Sequence, residues 1–177
     1  MSDRNVVLTG FMGTGKTTVG RALADRLGRE FVDTDRLIEE RYGPIPTIFA
    51  EHGEGAFRRY EREVASELAD RRRLVIATGG RMMIDAANAQ RLGATGDVVC
   101  LVASLDTILD RVDVDGAGAG ATRPLLRGDD VRTRVADLLA ERTEAYGAFV
   151  QVDTDGRTPD EVAVAIVERL GVERTDG

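Results

Sequence analysis

The stretch Gly10-Phe11-Met12-Gly13-Thr14-Gly15-Lys16-Thr17-Thr18 constrains this chain more than any other. It fits Gly-x4-Gly-Lys-[Ser/Thr] and lies between an apolar run over residues 5–9 and an amphipathic one over 16–27. That order of strand, glycine-rich turn and helix is the context a phosphate-binding P-loop requires. Glycines let the backbone curl so that successive N–H groups point inward at phosphate oxygens, which residues with a Cβ do only under strain. The helix that follows adds its positive N-terminus. In such a loop Gly13, Thr14, Gly15 and Thr18 frame the phosphates and Lys16 reaches the β- and γ-phosphates. The Thr17 hydroxyl is placed for the Mg²⁺ that bridges them.

A length of 177 residues suits one α/β domain over 1–177. Such a domain buries about 70% of the surface its unfolded chain exposes. No apolar run approaches the ~20 residues of a membrane span, and residues 1–4 lead straight into a strand, so a cytoplasmic protein is expected. With 24 Lys+Arg against 31 Asp+Glu the net charge is −7. That balance disfavours a nucleic-acid partner, whose affinity rests on neutralising phosphates. The single cysteine, Cys100, sits in the apolar run 98–102 and reads as a buried, inert thiol. His52 is the sole histidine, expected at the surface, so any Ser-His-Asp triad or histidine-rich metal site would rest entirely on that one residue.

The pattern along the chain alternates strands with helices. Strands are expected at residues 5–9, 30–32, 74–78, 98–103 and 150–153. Helices are expected at 16–27, from Asp35 onward, from Pro46 with a break at Gly53, at 55–72, after Gly79-Gly80 to about Leu92, from Ser104 to about Val112, at 129–146 and from a capping box at Thr158–Glu161. Phe57, Tyr60, Val64 and Leu68 form a buried stripe, with Arg58 and Glu61 on an adjoining face. Residues 113–121 alternate small and acidic side chains and read as mobile, and a tail from about 172 is expected to fray. Five such strands imply a parallel sheet covered on both faces, a three-layer α/β/α arrangement. Asp33-Thr34-Asp35 then falls at the carboxyl end of a strand, where open parallel sheets hold ligands.

A small GTPase is excluded by the lack of Asn-Lys-x-Asp, and no long acidic Walker-B strand supports a mechanical ATPase. A small-molecule kinase needs only a phosphate cradle, a metal, an acceptor pocket and a lid that excludes water. The ordered set of Gly10 to Thr18, Asp33-Thr34-Asp35, Phe57-Arg58-x-x-Glu61, Ala77-Thr78-Gly79-Gly80, Arg123-Pro124-Leu125-Leu126, Arg142-x-x-x-Tyr146 and Val152-Asp153-Thr154 resembles the shikimate kinase family over nearly the whole chain.

The resemblance implies a P-loop kinase with a five-stranded parallel sheet and a mobile lid at about 112–127. Its implied activity is ATP- and Mg²⁺-dependent phosphorylation of a shikimate hydroxyl to shikimate 3-phosphate, in aromatic amino-acid synthesis. Asp33, with Thr17, would help hold Mg²⁺, and Asp35 would bind acceptor hydroxyls and take the proton of the attacking one. Lys16 and Arg123 would neutralise charge on the transferring group. Arg58 and Arg142 would clamp the acceptor's carboxylate, with Glu61 orienting Arg58, and Gly79 and Gly80 would bring backbone N–H groups to the acceptor. Arg111 and Arg157 would flank the adenine. Read without the family, Asp33 and Asp35 also suit a helix N-terminus, and Arg142 an intrahelical ion pair with its neighbouring glutamates.

Two departures from the family pattern stand out. Arg81 replaces the usual third glycine after the third strand, and twelve positions separate Arg111 from Arg123 across a Gly/Ala-rich insertion. Arginine disfavours a positive φ, and an Arg81 aimed into the pocket would change acceptor choice, while one aimed outward would not. Three readings therefore remain at the level of sequence: a shikimate-phosphorylating enzyme acting with ATP as a monomer, without nucleic acid or membrane; a kinase for another small hydroxylated acid selected by Arg81; and a non-catalytic nucleotide-binding module.

Overall fold

The structure, a computed structural model, describes residues 3–116 and 131–172, with helix side chains described to residue 112 in the first segment. Five parallel strands lie in the order β2-β3-β1-β4-β5. They span Asn5–Gly10 (β1), Glu30–Asp33 (β2), Leu74–Ala77 (β3), Gly96–Val102 (β4) and Val150–Asp153 (β5). The helices are Lys16–Leu27 (α1), Thr34–Tyr42 (α2), Ile45–Asp70 (α3), Ala86–Thr95 (α4), Leu105–Gly116 (α5), Val131–Gly147 (α6) and Pro159–Leu170 (α7). None of the described helices is long and apolar enough to cross a membrane.

Strand alternation explains the layers. On β1, Val6 and Leu8 face α1 and α7, joined by Leu23, Leu27, Val162 and Ile166. Val7, one residue out of phase, faces the opposite side with Ile76, Val64, Leu68 and Leu92 from β3, α3 and α4. A third cluster, Phe11, Cys100, Ile108, Val135 and Tyr146, ties α5 and α6 to the loop after β1. The helix leaving β1 thus covers one face, and the connections leaving β3 and β4 cover the other. That divergence opens a crevice at the carboxyl end of β1.

Several local expectations are refined. Gly53 has φ 76° and ψ 171° and kinks α3, as a residue without Cβ can. The segment after Gly80 is a short 3₁₀ turn at Met82–Ile84 followed by α4, not one helix, because the Asp85 carboxylate caps α4 by accepting from the Ala87 and Asn88 amides. Tyr60 is only half-buried and stacks on Tyr42 with ring centroids 3.8 Å apart. The backbone of α5 continues to Gly116, one turn past the expected end at Val112. The remainder of the expected lid, including Arg123, lies outside the described residues.

At the carboxyl end of the chain, Gly171 adopts φ 61° and Val172 donates its amide to the Val167 carbonyl. This helix-ending turn buries Val172 in the α1/α7 core, so the tail is anchored one residue further than expected. The capping box is present as expected, with Thr158 and Glu161 exchanging hydrogen bonds. Cys100 is buried, and burial pushes its thiol up to about 11, which keeps it protonated. His52 is exposed.

Candidate active site

The P-loop closes through backbone geometry that only glycine adopts freely. Gly13 and Gly15 have φ 76° and 90°. Gly10, at φ 134°, also passes so close to the neighbouring strand that a Cβ would meet the Leu101 carbonyl oxygen at 2.3 Å. Thr14 is buried and bonds the Phe11 carbonyl at 2.8 Å, which pins the turn from inside. Lys16 Nζ donates to the Gly10 and Phe11 carbonyls, both at 2.9 Å, so the ammonium is held over the mouth of the loop. Thr18 bonds back to the Gly15 carbonyl at 3.0 Å and stabilises the first turn of α1.

Asp33 ends β2 and serves two partners. Its Oδ1 accepts from the Asp35 and Arg36 amides as the N-cap of α2, and its Oδ2 accepts from the Thr17 hydroxyl at 2.9 Å. The helix-terminus reading and the metal reading therefore meet in one carboxylate. Among the described residues no group of three or more His, Cys, Asp or Glu could hold a metal ion. A hydroxyl and a carboxylate as a two-oxygen foothold suit Mg²⁺, which keeps most of its shell as water and substrate phosphate.

Asp35 differs from its neighbour. Its Oδ1 is out of contact with solvent and has no hydrogen-bond partner. Burial, then the Asp33 and Glu61 charges, push its carboxyl up to about 6, opposed by Lys16. An unpartnered buried carboxylate oxygen is costly, and a polar ligand would relieve that cost. Gly79 explains how Asp35 fits, since a Cβ there would meet Asp35 Oδ1 at 2.3 Å. The Gly79 amide itself donates to Thr34 Oγ1 at 2.9 Å, which removes it as the expected donor to an acceptor molecule. Gly80 lines the cleft instead.

Arg142 is buried on α6, stacked over the Phe11 ring at 5.1 Å and 3.5 Å from the Gly80 carbonyl. Among the described residues no carboxylate lies within ion-pair distance, so the intrahelical pair that its glutamate neighbours suggested does not form. Tyr146, one turn along, donates to the same Gly80 carbonyl at 2.5 Å and fixes the loop after β3 against α6. Arg58 is placed differently: its guanidinium is taken up by Glu61 at 2.6 Å and Glu54 at 2.9 Å, and it does not line the cleft. Glu61 is buried, and that burial pushes its carboxyl up against the opposing pull of Arg58.

Arg111 donates to the Gly13 carbonyl at 3.2 Å and to Thr154 Oγ1 and O at 3.0 and 2.9 Å. It braces the P-loop to the end of β5, a role the sequence did not suggest. Arg157 is exposed at the same end of the cleft. Arg81 has φ −120° and ψ −4°, a backbone any residue adopts, and its side chain extends to Glu54 rather than into the cleft. Phe11, Tyr146 and Thr154 were not singled out as functional from the residues alone. The one local signal is that Tyr146 follows Arg142 by four and shares its helix face.

One cleft of about 900 Å³ gathers Lys16, Thr17, Asp33, Asp35, Gly80 and Arg142 at one side and Arg111 and Arg157 at the other. A second groove of about 550 Å³ runs along edge strand β2, but its Arg36, Arg41 and Arg71 are paired with Glu40, Glu67 and Glu30. The first is the one built for anions at two points with a carboxylate between them.

The shikimate kinase family model matches residues 12–171. A shikimate kinase of Symbiobacterium thermophilum is 45% identical over 169 residues, covering 94% of this chain and 95% of that protein. One from Thermodesulfovibrio yellowstonii is 41% identical over 177 residues, covering 97% and 99%. A solved structure of shikimate kinase from Acinetobacter baumannii in complex with shikimate has 38% identity and a TM-score of 0.85, covering 94% of this chain and 92% of that one.

Proposed function

The chain belongs to the shikimate kinase family, whose reaction is the ATP-dependent phosphorylation of shikimate, and we propose a division of labour in its cleft that performs this transfer. The product is shikimate 3-phosphate with ADP. The observation that carries the proposal is the placement of Asp35, a buried carboxylate with an unpartnered oxygen, in the same cleft as Lys16 and Arg142.

Gly13, Thr14, Gly15, Lys16, Thr17 and Thr18 receive the nucleotide phosphates. Thr17 and Asp33 would hold Mg²⁺, which would supply positive charge against the negative charge of the nucleotide phosphates. Arg142 supplies a buried cation for the acceptor's carboxylate, with its guanidinium already oriented by Phe11 and Gly80. Arg58, held beside the cleft by Glu54 and Glu61, would join it from α3 on exchange of the exposed Glu54, and Gly80 offers its backbone. Anchored there, the acceptor presents its hydroxyls toward Asp35. That carboxyl titrates at about 6, so it is ionised at neutral pH yet basic enough to accept the hydroxyl proton as attack proceeds.

Transfer itself needs alignment and charge neutralisation more than covalent help from the protein. Lys16 stands at the phosphate end, and Arg123, outside the described residues, completes the neutralisation from the lid in this reading. Arg111 and Arg157 border the place of the adenine. The brace from Arg111 to Gly13 means that contact with the base is felt directly by the P-loop.

We further infer one domain acting as a monomer in the cytoplasm, with small anions rather than nucleic acid or membrane as partners. The net charge of −7 supports the choice of partner. Among the described residues the large apolar side chains that stand exposed are Phe49 and Val150, too few for a stable apolar interface. ADP release with ATP and Mg²⁺, measured with shikimate, quinate, gluconate or no acceptor, tests the reading. Release that depends on shikimate is expected. Release with another acceptor, or none, would overturn it.

A further inference from the structure

Glu54 Oε1 receives two bonds from one arginine and lies near a second. Arg58 donates to it through Nε at 3.2 Å and Nη2 at 2.9 Å, and Arg81 Nη1 is 3.6 Å from the same oxygen. Arg58 Nη1 is separately held by the buried Glu61 at 2.6 Å. The two guanidinium edges of Arg58 thus have unequal partners. Glu61 is 2% exposed and fixed, whereas Glu54 is 56% exposed and follows the kink at Gly53, where even a Cβ would meet nothing within 4 Å.

A carboxylate presented to the Nε/Nη2 edge of an arginine is the same chemistry that an acceptor's carboxylate would offer. We propose that Glu54 occupies the outer edge of Arg58 as a surrogate for the acceptor carboxylate, and that Arg81 is the positioning residue that receives Glu54 when the acceptor displaces it. This rests on the reading that Arg58 meets the acceptor.

Charge arithmetic gives Arg81 a second effect in the same direction. Arg58 with Glu54 and Glu61 alone sums to one negative charge, facing an anionic acceptor. Arg81 brings the cluster to zero. It does so from outside the cleft, with its side chain 54% exposed, so it assists binding without narrowing the pocket. An arginine at this position therefore favours an acid acceptor rather than excluding shikimate.

Steady-state kinetics at low ionic strength test this in five variants. Arg81→Gln raises the KM for shikimate about two- to fivefold, the range of an exposed ion pair, and leaves kcat and the KM for ATP within twofold. Arg81→Lys restores the wild-type KM, and about 0.5 M salt erases the difference between Arg81→Gln and wild type. Glu54→Gln lowers the KM for shikimate, and in that background Arg81→Gln has a smaller effect than in the wild type, because only its contribution to the net charge remains. A shikimate KM unchanged by Arg81→Gln, or raised by Glu54→Gln, would overturn the proposal. Arg58→Lys separates the two levels. If it raises the shikimate KM while Arg81→Gln does not, the inference fails alone. If it leaves the shikimate KM unchanged, the reading of Arg58 fails and the inference with it.

Discussion

The two ends of the cleft are built by different means. The phosphate end is nearly all one stretch of backbone: positive φ at Gly13 and Gly15, a close approach at Gly10, and Lys16 folded onto the carbonyls of Gly10 and Phe11. The end proposed for the acceptor is assembled from side chains on α2, α3 and α6 and the loop after β3, braced by the Arg142–Phe11 stack and the Tyr146–Gly80 bond. A backbone site keeps its shape when a side chain is exchanged, so substitutions there remove charge without removing the cradle. A site made of mutually supporting side chains loses position and charge together.

The largest expected effect falls at the phosphate end. Lys16→Met should lower kcat about 100- to 1,000-fold, the range for deleting one preorganised charge at a developing anion. Because glycine geometry holds the loop, the melting temperature should change little. Calorimetry showing a large destabilisation would break the contrast.

Asp35→Asn comes next, with kcat about 100-fold lower at neutral pH. In the wild-type enzyme kcat/KM should fall as pH drops through about 6, where Asp35 takes up a proton, and this limb should vanish in the variant. Stability carries the opposite sign. The folded value lies above the unfolded value of 3.8, so the stability linked to Asp35 is fully present below about pH 4 and is lost as pH rises through about 6. Without nucleotide or metal, Asp35→Asn should be more stable than wild type at pH 8, by on the order of 2 kcal/mol. Urea unfolding at pH 4 and pH 8 measures it, and an equal gain at both would refute the cause.

At the acceptor end, Arg142→Lys should raise the KM for shikimate about ten- to a hundredfold, since lysine offers neither the fork nor the stacking face. The KM for ATP should stay within a factor of about two, unless the Phe11 contact transmits the change to the P-loop. Gly79→Ala sharpens the comparison where the ends meet. Its Cβ would displace Asp35 Oδ1, and the variant should lose about tenfold in kcat and roughly 1–3 kcal/mol of stability together. Thr158→Ala, at the capping box of α7 and flanked by Arg157 and Pro159, which line the cleft, should cost about 1 kcal/mol and leave the KM for shikimate unchanged.

Legibility from sequence follows the same division. The P-loop could be read because spacing along the chain is its geometry, and the strands because apolar alternation is local. The Arg58–Glu61 pair could be read because i, i+3 positions meet on a helix. Reading failed where a partner came from elsewhere. The Gly79 amide was assigned to the acceptor, but Thr34, 45 positions away, takes it. For Arg111 the sequence suggested a place beside the base and did not show the brace its donors make to Thr154 and Gly13. Val172 was assigned to a frayed tail, although the turn at Gly171 returns it to the core.

By itself the sequence determined the layered α/β class, the phosphate cradle, the acids at the end of β2 and the family to which the chain belongs. Those depend on contacts between near neighbours or on patterns that repeat along the chain. Only the tertiary structure decided that Asp35 is a buried carboxylate with an unpartnered oxygen, that Arg142 lines the cleft with no carboxylate paired to it among the described residues, and that Arg81 turns outward to Glu54. Each of those depends on which groups from distant segments share one low-dielectric space, and burial and pairing are properties of that space rather than of any stretch of chain.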